Sequence, residues 1–250
     1  AEELIAKYGD DLVVIAYMNT SGRIKAIAGQ TGGAVCTSSN APLIVDWARK
    51  QGKKILFVPD EHLGRNTAVK CGMDLSSVCT LGDPHTYGVT WKAADCETDS
   101  AEMICWGGYC GVHTVFTPEQ VRWWKEKGWQ VIIHPESKLE AVQAADGSGS
   151  TAYLWNTVMD APTGSKFAVG TEGHFVRNLK EQALLKGIDV MHLADAMVDN
   201  NDNNSGGCGC ATMSRNDPPH LAGMLDLLRK GEAPDINRVI AGDVVNEQTA

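Results

Sequence analysis

Short apolar runs alternate with amphipathic stretches along most of the chain. Residues 2–7 carry a helical spacing of apolar and charged positions, Gly9 interrupts it, and residues 11–16 (DLVVIA) form an apolar, β-branched run of strand length. The order recurs with a helix over 23–28, a strand over 34–37, a helix over 41–51 closed by Gly52, and a strand over 54–58 (KILFV). A polar stretch, 72–100, gives no clear period. The alternation then resumes with strands at 102–105, 130–133, 166–169 and 189–193, and helices at 118–127, 139–144, from 153, and at 171–181. Buried strands separated by helices predict parallel sheets covered on both faces, hence an α/β fold with two successive units of similar size. A turn-rich segment (DNNDNNSGG) follows, then an amphipathic helix over 220–230 expected to dock onto the body.

Composition narrows the function classes. A formal net charge of -9 over 250 residues excludes a broad basic surface, so no nucleic-acid partner is expected. No apolar run approaches the roughly 20 residues that span a bilayer, and the N-terminus lacks the regions of a secretory signal, so the reading is a cytoplasmic protein with no membrane partner. Eight cysteines in that setting are expected to be thiols or metal ligands rather than a disulfide framework. Cys36, Cys71, Cys79, Cys96 and Cys105 read as structural thiols. Cys110, Cys208 and Cys210 differ because glycines surround them, and thiolates on glycine loops suit a soft metal or an iron-sulfur cluster.

Open parallel sheets gather ligands beyond the carboxyl ends of their strands, and the chemistry-bearing residues fall there. Tyr17 and Asn19 follow the first strand, Ser38 the second, Pro59 and Asp60 the third. In the second half the same places hold WGGYCGVH (106–113), His134 with Glu136, GST (149–151) and GTE (170–172). Singly these signals are weak: Ser38 and Ser39, like Ser150 and Thr151, read first as helix N-caps, although the same geometry receives anions. His134 and Glu136, two apart at a strand end, share a face and can act on one molecule, or form an ordinary exposed charge pair. His113 can equally fill a polar pocket.

Taken in order, YMNTSGRIKA, VCTSSNA, ILFVPDEHLGRN, WGGYCGVH, HPES, GSGST, GTE and CATM resemble the quinolinate synthase family over most of the chain. The resemblance implies repeated three-layer α-β-α sandwich domains with parallel sheets in a pseudo-threefold arrangement, of which two are expected here: 1–100 as the second, 101–215 as the third, and 216–250 as a helical tail. It implies a central [4Fe–4S] cluster with one cysteine from each domain, placing metal-ligand roles on Cys110 and Cys210. The third ligand is expected in a first domain upstream, so the chain reads as a fragment, inactive by itself. Departures are Ser137 where the family has cysteine and Ala211 where it has proline.

The implied reaction condenses iminoaspartate with dihydroxyacetone phosphate to quinolinate for NAD biosynthesis, with a functional link to an iminoaspartate-producing enzyme. Glu136 and His134 take the catalytic roles, and Tyr17, Asn19, Ser38, His113, Ser150 and Thr151 bind substrate. Two rivals come from the residues alone. One is a non-enzymatic α/β module binding a small anion; the other is a zinc-dependent hydrolase using Cys110, His113 and Cys210.

Overall fold

A computed structural model of the chain describes residues 1–82, 96–196, 210 and 217–235. Strand β1 (Leu12–Tyr17) is buried at every position, and its two-residue period sorts those side chains onto two faces. Val13, Ile15 and Tyr17 pack with Val45 and Ala48 of α3 (Ala41–Arg49) and with Leu63 and Ala68 of α4 (Glu61–Lys70). Leu12, Val14 and Ala16 pack on the other side with Ile27 and Ala28 of α2 (Gly22–Gln30) and with Leu4 and Ile5 of α1 (Glu2–Tyr8). Such a strand has no polar face because both faces are covered, as the uninterrupted apolar run requires.

The first sheet has the order β2-β1-β3-β5-β4, with β2 (Ala34–Cys36), β3 (Lys54–Val58), β4 (Val78–Leu81) and β5 (Met103–Trp106), all parallel. The second has the order β7-β6-β8-β9, with β6 (Gln130–Ile133), β7 (Gly147–Ser148), β8 (Lys166–Gly170) and β9 (Asp189–His192), again parallel. One face of this sheet, with Ile132, Phe167, Val169 and Val190, meets α7 (Thr151–Met159) and α8 (Gly173–Leu184); the other, with Val131, Ile133 and Ala168, meets α5 (Pro118–Glu126) and α6 (Leu139–Ala144). The α/β class with parallel sheets between helix layers is therefore as expected.

Five features differ from the sequence reading. Helix α4 and strand β4 were not anticipated. Strand β5, expected to open the second unit, lies in the first sheet between β3 and β4, so the change of sheet falls after Trp106 rather than at residue 100. Its side chains are buried on both faces, and burial alone does not say which sheet a strand joins. Cys79 and Cys96, read as thiols, form a disulfide across a separation of 17 residues because β4 brings their Cα atoms to 4.8 Å. The terminal helix α9 (Pro218–Lys230) is present with an Asp217 N-cap and a left-handed Gly231 C-cap, but it buries no residue. Leu221, Leu225 and Leu228 are each more than half exposed, which corrects the expectation that this helix docks.

Candidate functional site

The loop after β5 folds back on itself: the Cys110 carbonyl accepts N–H bonds from His113 (3.1 Å) and Thr114 (3.2 Å). This turn carries the buried His113 imidazole over the carboxyl edge of the second sheet, where its Nε2 lies 3.1 Å from Thr171 Oγ1 after β8. The chain leaving β6 supplies His134 and Glu136, both 4% exposed, so the ordinary reading of an exposed charge pair fails. Glu136 Oε2 stands 3.3 Å from His113 Nδ1 and 3.3 Å from His134 Nδ1, and the two imidazoles stack at 4.4 Å. Cys110, His113 and Glu136 present one donor atom each within 4.8 Å of one another.

The two histidines carry opposite electrostatic roles. Burial and the neighbouring His113 charge drive His134 down to about 3, so it is neutral. Its Nδ1 accepts the Glu136 N–H at 3.4 Å, which leaves Nε2 as the protonated nitrogen. Burial also opposes a charge on His113, but the facing Cys110 and Glu136 side chains outweigh it and raise this imidazole to about 9. His113 is thus the cation facing Glu136, at a separation suited to ionic attraction rather than a tight hydrogen bond.

Tyr17 ends β1 buried beside this group. Its hydroxyl is held protonated first by burial, then by the charges of Glu136, Asp60 and Cys110, with the Ser38 side chain pulling the other way. Ser38 is not a cap: α3 starts at Ala41, and its N-cap position is Asn40, whose Oδ1 accepts from Thr37 instead. Ser150 is one, accepting the Tyr153 N–H at the start of α7. It still sits at the edge, because the Gly149 N–H donates to the Ile133 carbonyl at the end of β6. Thr151 and Asn19 are exposed.

Cys210 is described, but the donor group closing on Cys110 does not include it. Its neighbours Cys208, Ala211 and Met213, with the glycines 206, 207 and 209, lie outside the described residues.

Sequence reasoning noted Asp60 only as a strand end and gave Asn66, the last residue of ILFVPDEHLGRN, no role of its own. Asp60 is 3% exposed; its Oδ1 accepts the Leu63 N–H at 2.7 Å, capping α4, and its Oδ2 accepts the Cys110 N–H at 3.0 Å. The Glu61 N–H also donates to the Gly108 carbonyl at 2.8 Å, and a Cβ on Gly108 would strike the Pro59 carbonyl. An aspartate directly before a helical stretch is a legible cap signal, but its second bond depends on the fold. Ser137 is fully buried and its hydroxyl has no partner among the described residues, a setting better suited to the cysteine of the related motif.

The protein is thus of the parallel three-layer α/β class, with a thiol, an imidazolium and a carboxylate converging at strand carboxyl ends. The chain matches the family described as Quinolinate synthetase A protein over residues 1–243, and it belongs to that family. It is 42% identical over 239 residues to a quinolinate synthase of Streptomyces coelicolor, covering 94% of this chain and 56% of that protein. Quinolinate synthases of Geobacillus sp. (36% over 245 residues; 97% of this chain, 62% of theirs) and Bacillus anthracis (36% over 249 residues; 99% and 63%) are similar in the same way. The chain therefore spans about three-fifths of the length of these relatives. No helix among the described residues is long and apolar enough to cross a membrane.

Proposed function

We propose that this chain forms part of a quinolinate synthase that condenses iminoaspartate with dihydroxyacetone phosphate, releasing phosphate and two waters to give quinolinate for NAD biosynthesis. The observation that carries the reading is the convergence of Cys110, His113 and Glu136 within 4.8 Å at the sheet edge. In this reading the two sheets belong to the second and third of the family's three domains.

The family's [4Fe–4S] cluster is testable against the residues present. Cys110 suits it: the thiol is partly exposed, and a Cβ added at the adjacent Gly111 would meet nothing within 4 Å, which leaves room for a bulky group. Cys110 and Cys210 are the proposed ligands from this chain. When bound, such a cluster supplies an open iron as a Lewis acid.

The remaining chemistry belongs to the protein. Glu136 Oε2 is the base that takes a proton from the three-carbon substrate, and the His113 imidazolium steadies its carboxylate through Nδ1. His134, neutral, presents Nε2–H as a donor. Tyr17, kept protonated, donates its hydroxyl to substrate oxygen, with Asn19, Ser38, Ser150 and Thr151 binding carboxylate and phosphate oxygens around the same edge. Burial of Glu136 and His134 limits water at the reacting atoms.

The test is anaerobic preparation of a protein of full family length that contains this chain, with iron, sulfide and quinolinate measured together. About four irons per protein and quinolinate formation are expected. Stoichiometric zinc without iron would favour the rival zinc-dependent hydrolase, with Glu136 in place of the expected Cys210 beside Cys110 and His113, a donor set that zinc also accepts.

A further inference from the structure

Cys110 follows a strand of the first sheet and Glu136 a strand of the second, so their spacing depends on what joins the two loops. Helix α4 touches both. At its start, Asp60 accepts the Cys110 N–H. Six residues on, about 9 Å along the helix, Asn66 reaches the loop after β6. Its Nδ2 donates to the Pro135 carbonyl at 2.8 Å and to the Ser137 carbonyl at 2.7 Å, the two carbonyls that flank Glu136.

We propose that Asn66 is a positioning residue that clamps the loop of residues 134–137 so that Glu136 faces Cys110 and His113. The inference rests on the reading of Glu136 as the base. Asn66 is 7% exposed and spends both its N–H groups on this loop, while its own carbonyl oxygen has no partner among the described residues. A buried amide half unsatisfied in this way is a poor choice for packing alone, since an apolar residue of similar shape avoids the desolvation cost. Gly64, two residues earlier on the same helix, fits the same account. A Cβ there would lie 2.7 Å from Cys105 Sγ and 3.0 Å from Phe57 Cδ1, so the glycine lets α4 sit close against β3 and β5. A helix seated firmly on one sheet thereby holds a loop of the other.

The experiment compares Asn66→Leu with the unsubstituted protein in two ways. Amide hydrogen exchange in the cluster-loaded enzyme should quicken about tenfold or more at residues 134–138, as loss of two buried hydrogen bonds implies, with exchange in β1 and β3 unchanged. Turnover should fall by a similar factor at unchanged KM for dihydroxyacetone phosphate. If leucine is too bulky to fold here, Asn66→Ala removes the same donors without added volume. Unchanged exchange at 134–138, a uniform rise throughout the fold, or a quickened loop with normal kcat would each overturn the inference. Failure of the unsubstituted enzyme to make quinolinate would instead overturn the proposed function, while the exchange comparison would still decide whether Asn66 holds the loop.

Discussion

Replacing Asp60 by asparagine tests the electrostatics beneath the Cys110 loop. Burial is the largest influence on this carboxyl and raises it to about 7, with the Glu136 charge adding to the rise and the N–H groups of Leu63 and Cys110 opposing it. In the unfolded chain an aspartate titrates near 3.9. Its folded value lies above its unfolded value, so its contribution to stability is full below about pH 4 and is lost as pH rises towards about 7. Over that interval, at about 1.4 kcal/mol per pH unit, the loss amounts to at most about 4 kcal/mol. Asp60→Asn cannot ionise and should show no such loss. His134 acts in the opposite sense: driven down to about 3 chiefly by burial, it favours folding increasingly as pH rises towards about 6.5. Because His134 is present in both proteins, the informative quantity is their difference. Urea unfolding of the metal-free chain followed by circular dichroism, from about pH 4 to about pH 8, should show the variant gaining on the unsubstituted protein as pH rises. A difference flat in pH, or one that moves the other way, would refute the assignment of Asp60 as a carboxyl disfavoured in its charged form.

Gly64→Ala should cost about 1–3 kcal/mol in urea unfolding, because the added methyl meets Cys105 Sγ and the Phe57 ring in a packed layer; an unchanged midpoint would show that α4 is free to shift. Non-reducing alkylation followed by peptide mass analysis should find Cys79 and Cys96 joined and Cys110 labelled. Reduction of that bridge, which closes a separation of 17 residues, should lower stability by about 3 kcal/mol.

The alternation of apolar runs and helical stretches made the α/β class legible because strands covered on both faces, such as β1, leave an unbroken apolar signature. Helix α4 left none: Gly64, Arg65, Asn66 and Thr67 interrupt its apolar spacing. The fold nevertheless buries Gly64, Asn66 and Thr67, the first to admit a close neighbour and the second to bond a distant loop. Strand β4 was hidden in a polar stretch because only Val78 and Leu81 are buried in it. The carboxyl-edge rule located Tyr17, Cys110, His113, His134 and Glu136 without coordinates. What it could not supply was their protonation, which comes from burial and mutual distance: two stacked histidines, one neutral and one charged, are indistinguishable as letters. The exposed leucines of α9 are another such case, since amphipathic spacing shows a face that can be covered and not whether it is.

Glu136 is the group proposed to move the proton, and Glu136→Gln in the cluster-loaded, full-length enzyme tests that role most directly. Glutamine keeps the size and hydrogen-bonding reach of the side chain but cannot accept the proton. Quinolinate formation should fall about 100- to 10,000-fold, while iron content, cluster absorbance and substrate binding stay unchanged. Near-normal turnover would remove Glu136 from the chemistry, and loss of the cluster along with activity would mean that it supports the site rather than acts in it.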